Sequence, residues 1–182
     1  NIGTVIVKHG NPCGVSALKN NLDSYQSALE SDPISAFGGI VSCNYKITQK
    51  IAVMLNKIFL EVIVANGFDK EALKILKSKK NLRLIDSSKI SFNQVWKFNS
   101  FDNFTLIQSE DKKIFSKKDF RIVSKRKPSK SQLDNLMFAF NVCRYTKSNA
   151  IVLASNKSTI GIGSGQPSRL DSCEIAINKM NK

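Results

Sequence analysis

Histidine is almost missing from this chain: 182 residues contain one, His9. Tryptophan is also single, proline occurs four times, and acidic residues number 14 against 28 basic ones. Each shortage removes something. One histidine cannot build a multi-histidine metal centre. The four cysteines, Cys13, Cys43, Cys143 and Cys173, include no C-x-x-C pair, which argues against a structural zinc site. Reduced, cytosolic thiols fit a core of this size better than disulfides do. No apolar run approaches the roughly 20 residues that span a bilayer. The opening NIGTVIVKHG has no initiating Met and no basic-then-apolar signal pattern. It enters a strand at once, as a chain cut from something longer would.

What is present reads as a soluble, globular chain, 42% hydrophobic and 23% charged. The length suffices for one domain, or one domain and part of another. A formal charge of +14 suits nucleic-acid binding, attraction of anionic substrates, or compositional drift. Abundant Lys, Asn and Ile favour drift for most of the lysines, although a cluster runs from Lys112 to Lys130.

The hydrophobic pattern predicts alternating strands and helices. TVIVKHG is a strand broken by Gly10, and Leu22–Glu30 a helix with Leu22, Tyr25, Ala28 and Leu29 on one face. GGIVSC is the next strand. TQKIAVMLNKIF is a helix capped by Thr48, burying Ile51, Leu55, Ile58 and Phe59. EVIVAN, a helix capped by Asp69, and LRLID follow. Such alternation implies a largely parallel sheet covered on both sides, with ligands at the carboxyl ends of strands. Lys8-His9 and Asn66-Gly67 fall at such ends, and DPISAFGG at another junction. Between Ser87 and Lys127 the pattern loosens into QVWKF, FTLIQ and FRIVSK, read as strands or a sheet extension before a linker ending at Pro128. Ser129 and Gln132 make a capping box for a helix over 131–145. AIVLASNKSTIGIG is two strands turning near Asn156, and a last helix begins near Arg169 with Ser168 and Asp171 as its cap pair. There is no short-period repeat, but the strand–helix pattern begins again near Ala150.

Four segments could carry chemistry. His9 can exchange protons near neutrality, and Lys8 can stabilise a developing anion. By itself such a pair is an ordinary surface feature. DPISAFGG offers a turn and, in Gly38-Gly39, backbone open to close approach, yet equally serves as a plain helix-to-strand connection. Asn149 in KSNAIV can read an amide, though helix capping is the commoner use. GIGSGQPSR matches no nucleotide fingerprint, but glycines, a helix start and Arg169 together suit an anion.

Taken in order, KHGNPCG, SDPISAFGGIV, EVIVANGF with EALKILKSKKNLRL, and KSNAIVLA with IGIGSGQPSRLDS closely resemble AICAR transformylase. That family is the formyltransferase part of a bifunctional purine-biosynthesis enzyme which also carries IMP cyclohydrolase. The resemblance spans the chain and is weakest between Ser87 and Lys127. It implies formyl transfer from 10-formyltetrahydrofolate to the 5-amino group of AICAR, giving FAICAR. It implies an α/β, cytidine deaminase-like layered sheet, one unit largely complete over 1–127 and a second begun over 128–182. It also implies a homodimer in the cytoplasm, with no metal, nucleic acid or membrane. The deaminase zinc motifs H-x-E and P-C-x-x-C are absent here. Residue by residue, the resemblance makes His9 the proton acceptor and Lys8 the transition-state stabiliser. It makes Gly38, Glu61, Asn149 and Arg169 AICAR contacts, and Leu170 a folate contact.

Two local departures stand out: Ala65-Asn66-Gly67 replaces a usual Ala-Pro-Gly, and FDNFTLIQ (Phe101–Gln108) lacks a usual Gly-Gly pair. The cyclohydrolase domain and a C-terminal segment with further ligand contacts lie outside this sequence, so residues 1–182 are expected to show little formyl transfer alone. The alternatives are a basic nucleic-acid-binding module, for which no RNA- or DNA-binding signature is present, and an inactive structural fragment.

Overall fold

The β-branched run Thr4–Val7 forms a strand, and the Gly-Asn-Pro segment behind it forms a second one instead of a loop. The computed structural model describes residues 2–91 and 96–181. In it β1 (Ile2–Lys8) turns straight back into β2 (Asn11–Leu18). His9 (φ 52°) and Gly10 (φ 75°) fill the two turn positions, the type I′ arrangement whose twist suits a two-residue hairpin. Pro12 is accommodated because the ladder slips there: Ile6 pairs with Gly14 but Val7 with Pro12. A bulge tolerates a residue without an N–H.

The first helix, α1 (Asn21–Ser31), starts where Asn20 accepts the N–H groups of Leu22 and Asp23, and it buries Tyr25 and Ala28. A helical turn α2 (Pro33–Ala36) is capped by Asp32, which accepts the Ser35 N–H at 3.0 Å. Then come β3 (Gly39–Cys43), α3 (Gln49–Leu55), β4 (Leu60–Ala65), α4 (Lys70–Leu76) and β5 (Arg83–Asp86). Ile51 and Leu55 are buried as the helical period requires. Phe59 lies beyond the end of α3 and is half-exposed, against Phe37 with ring centroids 5.4 Å apart. Thr48 and Asp69 occupy the cap positions without a side-chain cap bond; Asp69 pairs instead with Lys46 at 2.6 Å.

A separate hairpin, β6 (Trp96–Phe101) and β7 (Phe104–Ser109), stands outside the main sheet. Gln94 and Val95 of the expected QVWKF strand lie outside the described residues. FRIVSK forms no strand. The capping box of Ser129 and Gln132 starts α5 (Lys130–Cys143), followed by β8 (Ile151–Ser155), β9 (Ser158–Gly163) and α6 (Arg169–Met180). Ser168 accepts the Leu170 N–H at 3.1 Å without Asp171.

Seven strands make one mixed α/β sheet in the order β5-β4-β3-β1-β2-β9-β8. Only β3, β4 and β5 are parallel; β1 runs antiparallel to both β2 and β3. The expectation of a largely parallel sheet fails because a two-residue turn can join only antiparallel strands. Expected cover on both sides holds only in part: Ile162, on the face away from α6, is buried and α5 packs on β8, but β1, β3 and β4 are covered on one face. Ile6, Val41 and Ile63 are fully buried, each contributing about 1.5–3 kcal/mol, under α1, α3 and α4, which pack together. The alternate residues Val5, Val7, Val62 and Val64 are only partly buried, and Ile40 is 38% exposed. All four cysteines are free thiols, and burial pushes those of Cys13 and Cys43 up to about 11.

The strand–helix pattern that begins again near Ala150 is a structural repeat. β8-β9-α6 reproduces β1-β2-α1 in detail. Its turn, Asn156 (φ 47°) and Lys157 (φ 55°), matches His9 and Gly10. Its ladder slips between Leu153 and Ala154 as the first slips between Ile6 and Val7. A Cβ on Gly14 would meet the Ala28 carbonyl oxygen at 1.8 Å, and one on Gly161 the Ala176 oxygen at 2.1 Å. Both helices open with the same tripeptide, Leu22-Asp23-Ser24 and Leu170-Asp171-Ser172. β2 and β9 are antiparallel neighbours through Ser16 and Ser158, so a half-turn about an axis between them relates the two units.

Candidate active site

Because β1 opposes β3 and β4, its carboxyl end lies beside their amino ends. Lys8 therefore meets the Gly38 turn. Its ammonium donates to the Phe37 carbonyl, and a Cβ on Gly38 would stand 3.4 Å from Lys8 Nζ and 3.6 Å from the Phe59 ring. Gly38 has φ +69°, a conformation that glycine adopts freely, and its N–H donates to the Phe59 carbonyl at 2.8 Å. Glu61, exposed, begins β4 beside Leu60, which pairs with Gly39. Asn66-Gly67, expected at the same rim, lies at the opposite end of the sheet, where the Gly67 carbonyl accepts the Ile47 N–H at 3.0 Å. Parallel β3 and β4 carry their carboxyl ends away from that of β1.

His9 sits at the exposed tip of the first hairpin. The geometry answers how neighbours on an extended chain can serve one ligand: the strand ends at Lys8 and His9 is already in the turn. Beside the tip, Asn11 Oδ1 accepts the Lys147 N–H at 3.0 Å, and the Lys147 carbonyl accepts the Gly165 N–H at 2.8 Å. Asn149 is fixed from three directions. Its Nδ2 donates to the carbonyls of Gln166 (3.0 Å) and Pro167 (2.7 Å), and its own carbonyl accepts the Ser172 hydroxyl at 2.8 Å. Arg169 and Leu170 open α6 just beyond; Leu170 is 75% exposed.

Lys8 and Gly38 are thus in contact, His9 adjoins them, and Asn149, Arg169 and Leu170 form a second wall, tied to the hairpin through Asn11 and Lys147. Among the described residues no side-chain hydrogen bond or ion pair restrains His9, Glu61 or Arg169. The rim offers an imidazole, a cation and amide groups, a set suited to an anionic or amide-bearing ligand and to proton transfer. No group of three His, Cys, Asp or Glu able to hold a metal occurs among the described residues. Sequence reasoning passed over three participants: Asn11, the Phe37 carbonyl and the Gln166–Pro167 carbonyls. Carbonyl partners leave no trace in residue type. Asn11 next to a turn was the one legible hint.

The family model described as the AICARFT/IMPCHase bienzyme matches residues 1–179. The bifunctional purine biosynthesis protein PurH of Wigglesworthia glossinidia brevipalpis is 46% identical over 179 residues, covering 98% of this chain and 34% of that relative. PurH of Acetivibrio thermocellus is 42% identical over 176 residues, covering 95% of this chain and 34% of the relative. PurH of Aquifex aeolicus is 43% identical over 174 residues, covering 96% and 34%. The chain spans about a third of the length of the relatives it matches. With nearly its whole length matched by the family model, the chain belongs to the AICARFT/IMPCHase bienzyme family.

Proposed function

We propose that this chain carries part of the formyl-transfer centre of a purine-biosynthesis enzyme. The reaction moves a formyl group from 10-formyltetrahydrofolate to the 5-amino group of AICAR, giving FAICAR and tetrahydrofolate on the way to IMP. The observation that carries the reading is the apposition of Lys8 with Gly38 beside the turn holding His9. A conjugated amine is a poor nucleophile and must lose its proton as it attacks. His9 takes that proton. The new nitrogen–formyl bond forms as the formyl oxygen gains negative charge, which the Lys8 ammonium stabilises. When the tetrahedral species collapses, the bond to the folate nitrogen breaks and that nitrogen is reprotonated. Gly38 leaves room for the AICAR ring, since a side chain there would fill the space beside Lys8 and Phe59. Glu61, Asn149 and Arg169 hold the rest of AICAR, and Leu170 supplies an exposed apolar contact for the folate.

The wider reading has two cytidine deaminase-like units, divided at 127/128, in a cytoplasmic homodimer that needs no metal. The repeated hairpin–helix unit supports a fold present twice, and the apolar face around Ile40 supports cover by another chain or domain. No described helix is long and apolar enough to cross a membrane.

The test is tetrahydrofolate formation by the intact protein given AICAR and 10-formyltetrahydrofolate, with His9→Asn as the probe. Asparagine tolerates positive φ, so the turn survives while the base is lost. Turnover should fall by roughly 10²-fold or more. Turnover near that of the unaltered protein overturns the assignment.

A further inference from the structure

The half-turn that relates the two repeats has a consequence at the other end of the sheet. Beside the first hairpin tip Asn11 holds Lys147, in the segment before β8, and Lys147 in turn holds Gly165 in the loop before α6. The second tip lies beside the end of β2, where the Lys157 carbonyl accepts the Ala17 N–H at 2.8 Å. Asn135 of α5 braces the turn from the other side, its Oδ1 accepting the Lys157 N–H at 2.9 Å. A cavity of about 550 Å³ opens there, bounded by Leu18, Lys19, Lys130, Asp134, Asn156 and Lys157. It is the counterpart of the Lys8–His9 rim.

Its chemistry differs in a definite way. Ser155 and Asn156 stand where the first unit has Lys8 and His9, so the imidazole has no counterpart there. Three lysines line the cavity instead, with one carboxylate. That carboxylate is already engaged: Lys117, 2.8 Å away, holds the Asp134 carboxyl below its usual range, helped by Lys157 and Lys130. Lys19, Lys130 and Lys157 therefore outnumber the one carboxylate at the cavity, which Lys117 already pairs. Among the described residues none of the three forms a salt bridge.

We infer that this second cavity binds the phosphate group of a small molecule through Lys19, Lys130 and Lys157, and that it binds without catalysing. A compact anion with several acceptor oxygens satisfies three flexible ammonium donors at once, and the missing imidazole leaves nothing to move a proton.

The experiment is calorimetric titration of the intact protein at fixed ionic strength, with inorganic phosphate in one arm and a nucleoside monophosphate in the other. The variant is Lys19→Gln/Lys130→Gln/Lys157→Asn, the last chosen because asparagine accepts the positive φ of that turn. Lys50→Gln, at an exposed position on α3, serves as the charge-matched control. Phosphate affinity should fall by about tenfold or more in the triple variant, as three weak surface ion pairs lost together predict, and should be unchanged in Lys50→Gln. A loss confined to inorganic phosphate in the triple variant marks a bare anion site; a loss in both arms marks a phosphate-ester site, and either result supports the inference. Equal affinity in the triple variant, an equal loss in Lys50→Gln, or displacement by chloride at equal ionic strength overturns it. Should the triple variant fail to fold, Lys130→Gln, exposed in the first turn of α5, carries the same comparison with an unchanged affinity as the refuting result.

Discussion

Asn11 Oδ1 accepts the backbone N–H of Lys147 at 3.0 Å, across 136 residues of chain. One amide oxygen thus joins the hairpin holding His9 to the segment leading into Asn149. If both walls serve one substrate, this bond sets their separation. Asn11→Ala is expected to lower formyl transfer by about tenfold to a hundredfold, since small displacements of a positioned group are costly. Asn11→Asp keeps the acceptor oxygen and should restore most of the loss. Steady-state kinetics on both variants decides it; equal turnover in the two would remove Asn11 from the positioning role.

Gly38 combines a φ of +69° with a Cβ site 3.4 Å from Lys8 Nζ. Gly38→Ala should therefore cost about 1 kcal/mol of stability through backbone strain. By filling the space beside Lys8 it should also weaken AICAR binding. Chemical denaturation and calorimetry report the two effects separately. A variant with unchanged stability and unchanged binding would contradict the geometry.

Asp32 caps α2 and pairs with Lys179 of α6 at 2.7 Å, so it ties the second repeat to the first. Burial opposes its ionisation, but the bonds from Lys179 and Ser35 prevail and hold the carboxyl below its usual range. A carboxyl with a lower pKa folded than unfolded stabilises the fold above the unfolded value, about 3.9. That contribution is lost as pH falls through the folded value. Unfolding midpoints should accordingly drop on acidification below about pH 4, and the drop should be smaller in Asp32→Asn. Parallel pH profiles for the two proteins would show that the pair contributes nothing.

Gly14 lets α1 lie directly on β2: an added Cβ would stand 1.8 Å from the Ala28 carbonyl oxygen. That oxygen is backbone and cannot move aside without displacing the helix. Gly14→Ala is expected to cost about 3 kcal/mol or more, the upper range for overpacking. Gly161→Ala should behave alike in the second unit. Urea midpoints measure both, and a loss under about 1 kcal/mol would mean that the helices can lift away cheaply.

The sequence by itself determined most of the local elements. The period of Ile51 and Leu55, the capping box at Ser129, and the turn near Asn156 each depend on residues within a few positions of one another, and each is present. It also carried the ordered segments from which family membership follows. Tertiary structure alone decided the rest. Asn11–Leu18 reads as a loop because Gly, Asn and Pro dominate its start, yet it becomes a strand once β1 and β9 offer ladders on both sides. Asn66-Gly67 looks like part of the site until strand direction sends it to the far end of the sheet. The contact of Lys8 with Gly38, and that of Asn11 with Lys147, join residues far apart in sequence. No local pattern encodes such pairings; they follow from the order and direction of strands, which the burial of Ile6, Val41 and Ile63 under one layer of helices selects.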